Sequence, residues 1–294
     1  MELLHKGRWR QNMAYGKSIE LFLVNGTADS LITAELSNWS GKAIKIPRIE
    51  IPKCDREEIT HAGVYFLFGQ EDDGSDFVYI GESENVKDRL MQHIKNDSYE
   101  WNTAVMFIGR DLNKTLIRYL ENRLVQISKD CGRYKIITKN TYQNTVMKES
   151  QISEMEEFIE NIKILINALG YKVLEPYLYE NSNQTSIDDE LLFISSGNAM
   201  ATGKATTEGF VVLQGATIND KLASKSIHTS TVKLREKYLS NGKVKDLITT
   251  ENILFTSSSA AADFILGYSV SGPRTWKTKD GKTLKELENS EITE

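Results

Sequence analysis

The sequence predicts an α+β fold: a small antiparallel sheet flanked by helices, with a β-rich extension before it and a second small α/β domain after it. Three observations carry this. Runs rich in aromatic and β-branched residues come in pairs separated by turn residues, at 18–36 and again at 62–80. Apolar residues at helical spacing follow at 86–94, 116–127 and 158–169. A polar tract at 180–190, poor in apolar residues, separates these elements from a further set. The expected organisation is an N-terminal extension over 1–60, a core domain over 61–175, a linker over 176–190 and an accessory domain over 191–294.

Composition sets outer limits. No segment approaches the apolar run of about 18 residues needed to span a bilayer, and Met1 to Lys6 opens no extended apolar core of a secretory signal. A cytoplasmic protein without membrane partners is therefore expected. Cys54 and Cys131 stand apart from any Cys/His cluster, so neither a disulfide framework nor a structural zinc site is indicated. The net charge of −5 argues against a nonspecific nucleic-acid coat while leaving room for local basic surface.

In the extension, Lys6, Arg8, Arg10 and Lys17 surround Trp9 and Tyr15, which fits either a nucleic-acid contact or a solvated arm. Residues 18–24 and 31–36 read as strands joined by a turn at 25–29. Residues 38–41 read as a further turn, and Pro47 and Pro52 imply extended chain up to the core.

The core opens with two strands, 62–68 and 76–80, around a loop containing Gly74. Pairing centred on that loop places Tyr65 opposite or nearly opposite Tyr79, with Cβ atoms roughly 4.5–5.5 Å apart. Val64, Phe66, Phe68, Val78 and Ile80 then form an apolar core face, leaving the tyrosine face for chemistry. Ser83 is positioned to cap a helix with a buried stripe of Val86, Leu90 and Ile94. Arg89 and His93, one turn apart beside that stripe, suit an anion-handling surface. A third strand follows at 103–108. Asn113 then caps a helix whose Leu116, Leu120, Leu124 and Ile127 face the core, with Glu121 beside them and Arg118 or Arg123 as ion-pair partners. Ser153 and Glu156 have capping-box spacing for a last helix ending at Gly170, and Glu154, Glu156, Glu157 and Glu160 read as its solvated face.

In the accessory domain, strands are expected around 203–215 and helices at 229–238 and 257–266, the latter stopped by Gly267. Gly203-Lys204 lacks the earlier glycine of a phosphate-binding loop. Between residues 221 and 245 there are seven Lys/Arg against the single acid Glu236. Lys225, Lys233, Arg235 and Lys237, with Arg274 beside Trp276, are therefore candidates for nucleic-acid binding.

Gly63-Val64-Tyr65, Tyr79-Ile80-Gly81, Arg89 eight residues after Gly81 and His93 one turn later together resemble the GIY-YIG nucleases over roughly residues 61–145. The resemblance implies a metal-dependent DNA endonuclease that hydrolyses phosphodiester bonds. Tyr65 would act as general base or orient water, Tyr79 would shape the site, Arg89 would stabilise phosphoryl charge, and His93 would assist the water or bind phosphate. Glu121 matches the family's glutamate that holds Mg²⁺ or another divalent cation. An asparagine after that helix is also implied, Asn140 or Asn144, with Asn144 preferred for its Asn-Thr pair. The alternative is a non-catalytic nucleic-acid-binding protein that retains the nuclease fold. The C-terminal part resembles a small uncharacterised domain often found after GIY-YIG modules.

Overall fold

The structure is a computed structural model that describes residues 16–96, 99–138, 146–178, 191–223 and 227–291. Lys6, Arg8, Arg10, Asn140, Asn144, Lys225 and the 180–190 tract lie outside the described residues. The chain divides into two compact units, Met1–Glu175 and Pro176–Glu294.

The first unit runs β1 (Ile19–Leu23), β2 (Ile32–Leu36), β3 (Lys42–Pro47), β4 (Gly63–Gln70), β5 (Asp76–Ser83), α1 (Val86–Asn96), β6 (Trp101–Ile108), α2 (Lys114–Cys131), β7 (Lys135–Ile136) and α3 (Glu149–Ala168). The strands form one sheet in the order β1-β2-β3-β6-β4-β5-β7, antiparallel except where β7 joins β5 in parallel. The N-terminal strands thus continue the central sheet through the β3–β6 ladder instead of packing on it as a separate layer. Pro47 ends β3, and Pro52 lies in a 3₁₀ turn, Arg48–Lys53, where the sequence implied extended chain.

While β1 at the edge is exposed, both faces of the central strands are covered. On one, Val64, Phe66, Phe68, Val78, Ile80 and Phe107 meet Leu116, Leu120 and Leu124 of α2 and Ile159, Ile162 and Leu165 of α3. On the other, Tyr65, Leu67, Phe77, Trp101 and Met106 meet Ile51 and Ile59 of two 3₁₀ turns and Val86 and Leu90 of α1. The tyrosine face is therefore a second core layer, not an open surface. Leu67 and Phe77 share the alternation of Tyr65 and Tyr79, and leaving them exposed would forgo roughly 1.5–3 kcal/mol apiece.

Helix starts follow local hydrogen-bond chemistry. Asn113 caps α2, its Oδ1 accepting the N–H groups of Thr115 (3.0 Å) and Leu116 (3.2 Å). The residue capping α1 is Asn85 and not Ser83: its Oδ1 accepts the Asp88 N–H at 3.1 Å, and its amide donates to Asp88 Oδ2 at 2.8 Å. Ser83 Oγ instead takes the Asn85 N–H and tightens the preceding turn. Helix α3 begins at Glu149, four residues before the expected Ser153, with Gln151 Oε1 accepting the Lys148 N–H. Glu154, Glu157 and Glu160 are exposed, whereas Glu156 is half-buried. It accepts from Tyr119 at 2.7 Å and from Arg123 at 2.6 and 3.0 Å, clamping α3 to α2.

The second unit contains β8 (Leu192–Ser196), β9 (Ala199–Thr206), β10 (Gly209–Val212), α4 (Thr229–Ser240), β11 (Val244–Lys245), β12 (Ile248–Thr249), β13 (Ile253–Phe255), α5 (Ser258–Leu266), α6 (Gly272–Thr275) and α7 (Leu284–Glu291). Its four-stranded antiparallel sheet has the order β13-β10-β9-β8. Ser257 caps α5 through the Ala260 N–H, and Gly267, at φ 79°, ends it. Trp276 is fully buried, its indole N–H donating to the Ser258 carbonyl at 2.9 Å and its ring 4.5 Å from Phe210. It is a core residue, not an aromatic surface between basic neighbours.

Candidate active site

The β4–β5 register pairs Tyr65 with Gly81 and Leu67 with Tyr79. The tyrosines are diagonal neighbours, two residues short of facing each other, because the ladder closes at Gln70 and Asp76 with Gly74 at φ 78°. A two-residue shift keeps both phenols on one face. Their rings stack at 6.1 Å with 19° between planes. The glycines of the two triplets have steric roles. A Cβ on Gly81 would overlap the Tyr65 hydroxyl, and one on Gly63 would overlap the Phe107 carbonyl of β6.

Tyr65 is fully buried, and its hydroxyl is hydrogen-bonded to Nε2 of His93 at 2.9 Å. The His93 imidazole, itself buried, meets both phenol rings edge-on, at 5.6 Å from Tyr65 and 4.8 Å from Tyr79. Arg89, half-buried on α1, interacts through its guanidinium with both phenols. Burial pushes the Tyr65 phenol well above its ordinary value, and the adjacent Tyr79 adds to this, while Arg89 opposes it. Burial likewise raises Tyr79. Arg89 therefore tempers the phenols without making either a phenolate at neutral pH.

Glu121 projects from α2 with 5% of its surface exposed, and its Oε2 has no hydrogen-bond partner. Burial, and then the nearby Glu82 carboxylate, raise its pKa to about 7 against the opposing charges of Lys114, Arg89 and Arg118. Neither expected ion pair explains it: Arg123 is engaged with Glu156, and Arg118 Nε lies 3.9 Å from Glu82. Glu121 also interacts electrostatically with Tyr65 and Tyr79, so α2 contributes to the same locality as α1 and the hairpin. Among the described residues no group of three or more His, Cys, Asp or Glu could enclose a metal. A buried carboxylate with an unpartnered oxygen nevertheless suits Mg²⁺, which keeps most of its waters and takes one or two protein carboxylates.

Sequence reasoning missed two residues here. Glu82, directly after Gly81, has a nearly buried side chain that Lys114 Nζ reaches at 2.8 Å. Tyr99 places its hydroxyl 3.4 Å from Nδ1 of His93 and stacks on Tyr79 at 6.1 Å. Adjacency to the second triplet could have flagged Glu82. Nothing in the local pattern marks Tyr99.

The basic candidates separate. Lys233 and Arg274 are exposed and Lys237 is half-buried. Arg235 is 3% exposed, and its guanidinium donates to the carbonyls of Phe264 (2.8 and 2.5 Å), Ile265 (3.1 Å) and Asn219 (2.7 Å). It satisfies the C-terminal carbonyls of α5 and is removed from the set that could meet nucleic acid. Burial lowers its pKa to about 10, a range in which it remains charged at neutral pH. Asn144 and Lys225 lie outside the described residues.

No curated protein and no solved structure matches the chain. Residues 192–288, within the second unit, match the model of a domain of unknown function, DUF4357.

Proposed function

We propose that the first unit is a metal-dependent endonuclease of the GIY-YIG type, acting on DNA phosphodiester bonds. The observation that carries this reading is Glu121 Oε2, buried without a hydrogen-bond partner in the locality of a guanidinium and two phenols. A buried carboxylate oxygen left without a hydrogen bond costs free energy that packing alone gives no reason to tolerate.

Glu121 would hold one divalent cation, which when bound supplies positive charge for the phosphate and the departing oxygen. The remaining roles fall to the chain's own groups. Arg89, partly exposed, presents a planar multi-donor cation to a phosphate and stabilises the charge that builds on it. Tyr65 is protonated in the resting site and orients the attacking water. As the water oxygen bonds to phosphorus and the bond from phosphorus to the departing sugar oxygen breaks, the water's proton passes to the Tyr65 oxygen and the phenol's own proton passes to His93 Nε2. Tyr79 packs against both groups and fixes their planes. Exposed Lys233 and Arg274 of the second unit offer backbone-phosphate contacts, which strengthen binding without reading sequence.

The test is incubation of the purified protein with supercoiled, linear and branched DNA, with Mg²⁺ and with chelator. Cutting that requires Mg²⁺ and disappears in Arg89→Ala and Glu121→Ala is expected. Cutting that persists in both variants would sink the site assignment. DNA retention indifferent to Glu121→Ala, with no cleavage in any divalent metal, would establish the non-catalytic alternative.

A further inference from the structure

The His93 imidazole lies between two phenols. Tyr65 OH is 2.9 Å from Nε2 and Tyr99 OH is 3.4 Å from Nδ1. Tyr99 does not reach this position as a free side chain. Its ring is stacked on Tyr79 at 6.1 Å and 18°, and abutted edge-on by Phe77 at 5.7 Å and 83°. Two elements thus fix the hydroxyl: β5, through those rings, and the short connection before β6, which carries Tyr99 itself.

A neutral imidazole has one N–H and one lone pair, so the partner at one nitrogen decides what the other can do. For Nε2 to receive the Tyr65 proton it must carry the lone pair, and Nδ1 must then carry the hydrogen. A phenol oxygen facing Nδ1 is an acceptor for that hydrogen. This is the logic by which an acceptor behind a catalytic histidine fixes its tautomer, with a phenol in place of a carboxylate.

We propose that Tyr99 is a positioning residue that holds His93 in the Nδ1–H tautomer and so aims the Nε2 lone pair at the Tyr65 hydroxyl. The chain runs Tyr65 O–H to Nε2, then Nδ1–H to Tyr99 O. When the Tyr65 proton arrives, His93 becomes an imidazolium whose two N–H groups face two phenol oxygens, and no proton leaves Tyr99. The kinetic consequence rests on the endonuclease reading; the tautomer does not.

The experiment uses full-length protein with ¹⁵N-labelled histidine, at a pH about two units above the ordinary imidazole value of roughly 6.5. The four histidines are sorted by the ring signals lost in His93→Gln. The expected wild-type spectrum shows His93 protonated at Nδ1 and bare at Nε2. Tyr99→Phe, which keeps the ring and its stacking, is expected to lose that preference at an unchanged melting temperature. The same variant should cut DNA roughly ten- to a hundredfold more slowly at unchanged KM, the scale of losing an orienting hydrogen bond. A wild-type His93 protonated at Nε2, or an Nδ1–H tautomer that survives Tyr99→Phe, would overturn the proposal. If the protein never cuts DNA but the tautomer behaves as expected, the positioning role stands and the endonuclease reading falls.

Discussion

Gly81 lies directly across the β4–β5 ladder from Tyr65, and the Tyr65 hydroxyl occupies the space that any Cβ at position 81 would take. Gly81→Ala is expected to cost about 1–3 kcal/mol, the usual penalty for overpacking a tight core, and to displace the phenol from His93. Gly74→Ala is the contrast. At φ 78° with nothing near its missing Cβ, it should cost about 1–2 kcal/mol of backbone strain and leave the site intact. Melting curves with the DNA-nicking assay of the proposed activity separate the two: both variants should soften the fold, and only Gly81→Ala should abolish cutting.

Glu121 gives the first unit an inverted carboxylate response to pH. Its pKa rises from 4.5 in the free state to about 7 in the fold, so the native state binds this proton more tightly than the unfolded chain does. Below about pH 4.5 both states are protonated and nothing is lost. Between 4.5 and 7 stability falls as pH rises, and above 7 the whole cost, of order 3 kcal/mol, is present. Glu121→Gln should therefore be more stable than wild type at about pH 8 and indistinguishable near pH 4. Thermal melts at the two pH values check this. Added Mg²⁺ should recover wild-type stability at the higher pH, chelator should reverse that gain, and neither should move the variant.

Arg89 opposes the burial that raises both phenols. Removing its charge in Arg89→Gln should push both tyrosine titrations further up, visible by ultraviolet absorbance at alkaline pH. Cutting should fall by about 10²–10³-fold, the scale set by removing a preorganised donor from developing charge. Arg89→Lys should restore little, because a single ammonium cannot reach both phenols and a phosphate as a planar fork does.

Arg235 and its exposed neighbours should behave oppositely. Arg235→Ala leaves the carbonyls of Phe264, Ile265 and Asn219 without their donors, and should destabilise the second unit by several kcal/mol. Lys233→Ala and Arg274→Ala should leave melting unchanged. Each that contacts a phosphate should reduce the slope of log affinity against log salt by about one.

The legible parts of this fold were those written in local chemistry. The hairpin strands, the Asn113 cap and the Gly267 stop each follow from a few adjacent residues. The parts that escaped are set by contacts distant in sequence. The alternation at 65–67 and 77–79 was read for its tyrosines, although Leu67 and Phe77 on the same face demanded a cover, which residues 48–60 provide. Strand β3 escaped because its apolar alternation sits between a turn and a proline. Arg235 stands out in the sequence by its charge, whereas its guanidinium is taken up by carbonyls of α5 and of Asn219. Glu121 is the intermediate case: its position on α2 is legible, but its burial, its unpartnered oxygen and the Glu82 carboxylate beside it are set by the fold.

The position of β6 has a consequence for how the first unit is made. Residues 103–108 pair with β3 on one side and with β4 on the other, so the middle strand of the sheet is synthesised after both of its neighbours. Until it emerges from the ribosome, the β1–β3 meander and the β4–β5 hairpin each present an unpaired edge and an uncovered apolar face. Such delayed, long-range closure slows folding and exposes aggregation-prone edges. Truncation before residue 101 would leave two orphaned half-sheets on a nascent chain, the state in which a chaperone has most to hold.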